Sequence, residues 1–379
     1  MATERKGLTP THRESWALTA EGDCACGIAG AQTETAKFPL LLFLELTPQC
    51  NNHCPGCSNV SGPTSRRLPR LSSQEWADII RDLASRQVYV KLTGGEPTLH
   101  QEFPSIARYV DNWGLCSTLL TNGRWPHPQQ VLTTLQAMTT SPPTVLVSLH
   151  GPDAPSHEAF SGVRGSFDET VTNLRRAADV GLTVSTSTVL TRHNWNRIEE
   201  MVTFARSLGT HHVVFNRYIG RPLPVLEATP AHVGHAVHRV EELMTKGKPV
   251  RWGTPIPLCA SPQFRGGCLA GEAFATVDPW GNVRPCNHAP HVTGNLLQRS
   301  LEEIWRSAPM QEWREIVPPE CRDCALMDSC RGGCRAEAML RPPSSYPLPR
   351  KPLRDEPGIG MGDLRALRTT QQKDQHGIC

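Results

Sequence analysis

Short apolar runs and amphipathic segments alternate along residues 37–220. Runs rich in Val, Leu, Ile and Thr predict six β-strands, at residues 39–46, 88–93, 117–121, 144–150, 184–190 and 212–219. Between them, apolar residues three or four positions apart predict α-helices at residues 72–86, 100–114, 166–181 and 196–209. Strands that alternate with helices form a parallel sheet. The pattern therefore predicts an α/β fold, a partial (β/α)6 TIM-like barrel.

Two of the predicted helices carry boundary signals. Ser72-x-x-Glu75 and Ser166-x-x-Glu169 both have the form of a capping box, in which serine and glutamate side chains bind the first amides of a helix. Gly181 stands where the second helix needs a C-cap. We therefore expect helices that begin just after Ser72 and Ser166.

Polar motifs follow four of the predicted strands. CNNHCPGC (50–57) follows the first strand, TGGEP (93–97) the second, TNG (121–123) the third and SLHG (148–151) the fourth. In barrels of parallel strands, functional residues collect at the carboxyl ends of the strands. The four motifs therefore predict one site at that rim of the sheet.

Composition excludes several classes of protein. The 379 residues carry a formal net charge of +3, which is too near neutral to predict a nucleic-acid-binding surface. No apolar run approaches the roughly 20 residues that span a bilayer. The opening segment MATERKGLTPTHRESW lacks the apolar core of a signal peptide. We expect a soluble, cytoplasmic protein with no nucleic-acid or membrane partner.

Fourteen cysteines stand in spaced groups, which favours metal over disulfides in a chain of this length and compartment. The first group, Cys50, Cys54 and Cys57, supplies three thiols. A zinc site or a complete iron–sulfur cluster needs four ligands. Two interpretations fit: a cluster with one open iron, or a zinc loop with a distant fourth ligand.

CxxxCxxC after the first strand, with TGGEP after the second, resembles the radical S-adenosylmethionine (SAM) superfamily over about residues 38–220. The resemblance implies a [4Fe–4S] cluster whose open iron is chelated by SAM, and cleavage of SAM to a 5′-deoxyadenosyl radical. In the TGGEP motif, glycines would let backbone carbonyls approach the SAM ammonium, and a carboxylate would add a charge-assisted hydrogen bond. The SAM-binding residues that the resemblance implies are Gly94, Gly95, Glu96, Pro97, Ser148, Arg164 and Thr188.

A second cysteine-rich segment begins at Cys268. Its spacing is CX12GX4C and then CX2CX5CX3C, which resembles the SPASM extension of peptide-modifying radical SAM enzymes. The resemblance implies two auxiliary iron–sulfur clusters. A zinc ribbon is the alternative, because CX2C pairs also suit zinc.

The resemblance also implies how the clusters share these cysteines. Auxiliary cluster I would take Cys268, Cys286, Cys334 and an upstream cysteine, for which Cys259 is the candidate. Auxiliary cluster II would take Cys321, Cys324, Cys330 and a later residue. Here the sequence departs from the family pattern, because the next cysteine after Cys334 is Cys379. The other candidates are an open site, Asp355, Asp363 and His376. Cysteines without an assigned role are Cys24, Cys26 and Cys116.

Changes in composition predict four segments. A polar N-terminal segment (1–36) precedes the radical SAM partial barrel (37–250). A cysteine-rich SPASM domain (251–340) follows, in which metal replaces much of the hydrophobic core. The tail (341–379) is rich in Pro and charge, which predicts an extended or disordered chain.

The function implied by the resemblance is radical modification of a ribosomally made peptide or protein, with or without a leader sequence. The product would be a crosslink, a thioether, an epimer or an oxidised residue, and flavodoxin or ferredoxin would supply the electron. One alternative is a small-molecule substrate such as a tetrapyrrole or a quinone-cofactor precursor. Another is a non-catalytic iron–sulfur electron carrier, although a carrier has no use for TGGEP. Sulfatase-maturing relatives have a proton-accepting Asp where this chain has Asn287, and an amide is no base.

Overall fold

The strands fall where the apolar runs predict them. The structure is a computed structural model that describes residues 36–58, 70–261 and 267–348. Its strands are β1 (Leu41–Glu45), β2 (Tyr89–Thr93), β3 (Ser117–Thr121), β4 (Thr144–Ser148), β5 (Thr183–Leu190), β6 (Val213–Arg217), β7 (Val250–Trp252), β8 (Phe274–Val277), β9 (Asn282–Arg284) and β10 (Gly294–Asn295). The six predicted strands are confirmed as β1 to β6.

All ten strands belong to one sheet, in the order β10-β9-β8-β1-β2-β3-β4-β5-β6-β7. The run from β8 through β1 to β7 is parallel throughout, and β9 and β10 are antiparallel. The sheet is open, with β10 and β7 at its two edges. It also continues beyond residue 250, because β7 extends one side and β8 pairs with β1 on the other. The predicted parallel α/β fold is confirmed.

Helices connect the parallel strands and cover one face of the sheet. They are α1 (Ser73–Ala84), α2 (Phe103–Asn112), α3 (Pro128–Gln136), α4 (Ala154–Ser161), α5 (Ser166–Asp179), α6 (Ile198–Ser207), α7 (Pro230–Thr245), α8 (Leu301–Trp305), α9 (Ala308–Arg314), α10 (Met327–Cys330) and α11 (Arg335–Leu340). Their buried apolar residues pack with alternate strand residues such as Leu42, Leu44 and Val90 in the main core. The remaining strand residues therefore face the opposite side of the sheet.

That opposite, inner face is notably polar near its centre. The Tyr89 hydroxyl lies 2.7 Å from the Thr118 hydroxyl oxygen, and both side chains are on this face. The Lys91 ammonium lies 5.2 Å from the centre of the Phe43 ring, within the range of a cation–π contact. These contacts show that the inner face is not packed as a purely apolar core.

Helix boundaries match the signals at Ser72 and Gly181 but not at Ser166. Ser72 caps α1 in a complete capping box with Glu75. Gly181, at φ +83°, follows the end of α5. Its amide donates to the Ala178 carbonyl and the Leu182 amide donates to the Ala177 carbonyl, which is the hydrogen-bond pattern of a Schellman motif. The capping box predicted at Ser166 is wrong. Gly165 occupies the N-cap position, and the Ser166 hydroxyl instead pairs with the Ser161 hydroxyl at 2.6 Å.

The first residues of the Pro-rich tail are packed rather than extended into solvent. Arg341 is buried and pairs with Glu227, and its guanidinium also donates to the Gly220 carbonyl. Tyr346 is buried, and Leu348 belongs to the core cluster formed with α6 and α7. Composition misses these contacts because one buried ion pair and two apolar side chains hold a segment that is otherwise polar.

Candidate functional site

The cysteine loop that follows β1 packs backbone against backbone on the TGGEP turn. The Gly95 amide donates to the Thr47 carbonyl at 2.7 Å, and the Glu96 amide donates to the Gln49 carbonyl at 2.7 Å. A Cβ at Gly95 would lie 2.2 Å from the Gln49 carbonyl oxygen, and one at Gly94 would lie 2.5 Å from the Thr47 carbonyl oxygen. Both glycines are therefore required by the approach of this loop, a reason that the sequence did not reveal.

The Glu96 side chain holds the TGGEP turn in place through buried hydrogen bonds. Its carboxylate is fully buried and accepts hydrogen bonds from the Thr98 amide and hydroxyl, the Thr121 hydroxyl and the Asn122 amide, at 2.7–3.2 Å. Burial raises the pKa of Glu96, and these hydrogen bonds oppose the rise. The side chain therefore joins the ends of β2 and β3, the two strands whose loops border the cysteine loop.

The TNGR segment at the end of β3 holds the cysteine loop from a second side. The Asn122 side-chain amide donates to the Asn51 side chain at 2.7 Å and lies 3.7 Å from the Cys50 sulfur. Arg124 donates to the Asn51 carbonyl and, at 3.0 Å, to the Asn52 side chain, and it pairs with Glu169 at 3.0 Å. Sequence reasoning assigned neither Asn122 nor Arg124 a role, although TNG at a strand end was the signal.

The turn after α4 closes the third side of the loop. The His53 amide donates to the Ser161 carbonyl at 2.9 Å, and a Cβ at Gly162 would lie 2.4 Å from the His53 carbonyl oxygen. Gly162 has φ +69° and ends α4 in the left-handed conformation. Arg164, expected near the SAM carboxylate, is exposed and follows this turn by two residues.

The three thiols of the loop influence one another electrostatically. Burial, followed by the nearby Cys57 and Cys50, raises the pKa of Cys54 to about 12. Burial is also the main cause that raises the pKa of Cys50. Iron must therefore displace protons from these thiols when it binds, because a thiolate is the ligand.

The two hydroxyl residues predicted to contact SAM, Ser148 and Thr188, lie on opposite faces of the sheet. The Thr188 hydroxyl is buried and donates to the Leu149 carbonyl at 2.6 Å. Ser187 faces the other side, where the Asn216 side-chain amide donates to its hydroxyl at 3.0 Å. Ser148 is the register partner of Ser187, and partners in parallel strands face the same side. Ser148 and Ser187, rather than Thr188, therefore point toward the inner face.

A second group of cysteines lies in a small buried cluster of the C-terminal part. Cys268, Cys286 and Cys334 are all buried and pack with Ile219 and Trp313. Burial and the nearby Cys268 raise the pKa of Cys286 to about 12. The same two causes, in the same order, raise the pKa of Cys334. These are the three cysteines predicted for auxiliary cluster I, and the structure brings them together.

Buried arginines surround this second group. Arg284 pairs with Glu45 at the end of β1 and donates to the Cys286 carbonyl at 3.4 Å. Arg335 pairs with Glu272 and donates to the Cys268 carbonyl at 3.1 Å. Arg217 pairs with Glu337 at 2.8 Å, three residues after Cys334. The Cys286 and Cys268 carbonyls thus accept hydrogen bonds from paired, buried arginines, and the pair of Arg217 with Glu337 lies close to Cys334 in the chain.

A third group of cysteines lines a small cavity. Its thiols are those predicted for auxiliary cluster II, Cys321, Cys324 and Cys330, together with Cys259. Cys259 was expected with auxiliary cluster I, but the structure places it at this cavity. Cys24, Cys26, Cys379, Asp355, Asp363 and His376 lie outside the described residues. Cys116 is an exposed free thiol before β3.

The three groups suit iron–sulfur clusters in their chemistry. Each group presents three or four thiols, and thiolate is the ligand that iron–sulfur clusters take. Within the described residues, no three His, Cys, Asp or Glu side chains are close enough to share one metal ion. A [4Fe–4S] cluster makes no such demand, since each thiolate binds a different iron. His288, two residues after Cys286, has an Nδ1 atom that is buried without a hydrogen-bond partner among the described residues.

Comparisons with known proteins agree with this arrangement. The radical SAM superfamily model matches residues 44–205, and the iron–sulfur cluster-binding domain model named SPASM matches residues 268–334. Mycofactocin maturase MftC of Mycobacterium tuberculosis is 33% identical over 315 residues, covering 79% of this chain and 78% of that protein. AdoMet-dependent heme synthase of Methanosarcina barkeri is 29% identical over 332 residues, covering 79% of this chain and 92% of that protein. The crystal structure of Streptococcus suis SuiB bound to its precursor peptide SuiA has a TM-score of 0.67 at 19% identity, covering 84% of this chain and 76% of that one.

Fold, thiol groups and matches together define an iron–sulfur enzyme of radical chemistry. The chain belongs to the radical SAM superfamily and carries a SPASM domain. Its cofactors are a [4Fe–4S] cluster with SAM and the auxiliary iron–sulfur clusters of the C-terminal part. The zinc and electron-carrier interpretations are thereby excluded. No helix in the described ranges has the length and apolarity needed to cross a bilayer.

Proposed function

We propose that this enzyme modifies a ribosomally made peptide or protein at an unactivated carbon. The structural observation that carries the proposal is the open sheet. The sheet ends at β7 and β10, which do not pair with each other, so its strand pairing leaves an opening between these two edges. An extended peptide can lie across such an opening, whereas small-molecule sites usually enclose most of their ligand. The similarity to MftC and the SuiB-like fold support this substrate class.

In this proposal Cys50, Cys54 and Cys57 would hold the cluster and leave one iron for SAM. When bound, the cluster and SAM would supply the chemistry of hydrogen-atom abstraction from the substrate. The protein's own part is to position the loop through Gly95 and Arg124 and to orient SAM against the inner face. Ser148 and Ser187 are the hydroxyls placed to contact SAM from that face.

Asn287 limits the kind of reaction. The residue is half-buried, and its side-chain oxygen lies 3.6 Å from the Cys286 sulfur, next to the proposed auxiliary cluster I. An amide cannot accept a proton at neutral pH. We therefore propose a reaction whose substrate proton is not taken at this position, which sets the enzyme apart from sulfatase maturation.

The proposal extends to the electron donor and the compartment. No disulfide bond is found among the described cysteines, and thiols persist in reducing compartments. We place the enzyme in the cytoplasm, with a flavodoxin or ferredoxin as donor. We extend the proposal to a substrate peptide that carries a leader sequence, which is supported by the SuiB-like fold and the precursor peptide bound to SuiB.

The test is a mass-spectrometric assay of reconstituted enzyme with SAM and dithionite. Peptides translated from short open reading frames beside the gene are the substrates offered. We expect a SAM-dependent mass change on one peptide, together with 5′-deoxyadenosine in at least equal amount. Cys54→Ala is the matched control, because it should abolish SAM cleavage and leave the auxiliary iron bound. SAM cleavage without a change in any such peptide would contradict the peptide proposal.

A small-molecule substrate is the second candidate. It is favoured by the similarity to the heme synthase of Methanosarcina barkeri, which covers 92% of that protein. The same assay separates the two candidates when a carboxylated tetrapyrrole replaces the peptide. A SAM-dependent mass change of the tetrapyrrole, with all peptides unchanged, would establish the second candidate in place of the first.

A further inference from the structure

The cavity beside α10 is enclosed by four cysteines from two distant parts of the chain. Cys321, Cys324 and Cys330 come from the SPASM motif, and Cys259 comes from the segment that follows β7. The rest of the lining consists of backbone and apolar side chains, including Leu326 and Met327. Among the described residues that line the cavity, the four cysteines supply the side-chain ligands for a metal cluster.

The backbone holds Cys259 at this cavity through contacts of its neighbours. The Leu258 amide donates to the Cys330 sulfur at 3.4 Å. Gly333 has φ +77°, and a Cβ there would lie 2.9 Å from the Pro257 ring. The segment 257–259 is thus packed against the 330–333 turn rather than passing near it by chance.

We propose that Cys259 is the fourth ligand of the auxiliary cluster held by Cys321, Cys324 and Cys330. Four thiolates complete a [4Fe–4S] cluster, so no residue of the tail beyond 348 is needed. Cys379 is then free of a structural role at this site. The cluster at Cys268, Cys286 and Cys334 then has three ligands among the described cysteines. The family pattern predicted the opposite, with Cys259 at this cluster and a later residue at the other one.

The two auxiliary sites can be separated by background variants. In a Cys268→Ala, Cys286→Ala background only the cluster at the cavity remains in the C-terminal part. In a Cys321→Ala, Cys324→Ala background only the other one remains. Cys259→Ser is added to each, and iron per chain and the EPR spectrum of the reduced protein are measured. Neither readout depends on activity or on a substrate, so the proposed function can fail without affecting the result.

We expect Cys259→Ser to change the EPR spectrum and to lower bound iron, by up to about four per chain, in the first background only. Cys116→Ser, a substitution of an exposed thiol before β3, should change neither background. Cys259→Asp keeps a group that can bind iron and should retain more iron than Cys259→Ser, with a shifted spectrum. A change confined to the second background would overturn the proposal, and so would no change in either. Truncation after residue 348 should leave both spectra intact, and loss of the cavity cluster on truncation would assign the ligand to the tail instead.

Discussion

Replacement of Gly95 by alanine tests how the sheet positions the cluster loop. The added Cβ would lie 2.2 Å from the Gln49 carbonyl oxygen and 2.8 Å from the Pro48 carbonyl oxygen. Real Cβ atoms essentially never approach closer than 3.0 Å, so the Gln49 oxygen must move by at least 0.8 Å, from 2.2 to 3.0 Å. Both contacts are backbone atoms, and no change of rotamer can relieve them.

The displacement reaches the cluster directly because Cys50 follows Gln49. It also stretches the 2.7 Å hydrogen bond from the Glu96 amide to the Gln49 carbonyl. Overpacking of this kind costs about 1–3 kcal/mol, and the weakened hydrogen bond adds about 1 kcal/mol. A misplacement of about 1 Å near reacting groups can lower a rate about 100-fold. We therefore expect Gly95→Ala to reduce the rate of SAM cleavage by about two orders of magnitude.

The assay measures 5′-deoxyadenosine formed under dithionite, with iron per chain and thermal unfolding recorded for the same sample. Gly234→Ala is the matched control, because no atom lies within 4 Å of its added Cβ in α7. We expect that control to keep full activity and to gain up to about 1 kcal/mol of stability. A Gly95→Ala enzyme with normal iron content and a normal cleavage rate would refute the close-approach argument.

Two further predictions concern the residues around the loop. Arg124→Ala removes hydrogen bonds to Asn51 and Asn52. Since one charged hydrogen bond contributes about 1.5 kcal/mol, we expect the variant to lose its cluster to a chelator about tenfold faster. Glu169→Gln keeps those bonds, so its rate of cluster loss should be nearly that of the wild type. Burial and then the Arg124 charge lower the pKa of His157 to about 4, below the unfolded value of 6.5. The contribution of the neutral His157 side chain to folding stability is therefore complete above pH 6.5 and is lost as the pH falls toward 4. When the pH is lowered from 6.5 to 5, the free energy of unfolding measured in urea should fall by about 2 kcal/mol less in His157→Asn than in the wild type. Equal decreases in the two proteins would contradict this.

The sequence by itself determined the parts of this protein that depend on neighbouring residues. Each apolar run of β1 to β6 is rich in residues that favour strands, and the carboxyl-end placement of CNNHCPGC and TGGEP follows from the order of strands and motifs. Three thiols within eight residues must share one loop, whatever the rest of the chain does. For this reason the fold class and the first cluster site could be predicted.

Only the tertiary structure decided which distant groups meet. The inward direction of Ser187 rather than Thr188 depends on register, since a shift of one residue reverses both faces. The need for glycine at 95 depends on the path of a loop more than 40 residues earlier in the chain. Cys259 joins the cavity of Cys330 because segment 257–259 packs on the 330–333 turn, a contact across about 70 residues. Cysteine spacing fixes neighbours along the chain, and it leaves such long-range partners to be chosen by packing.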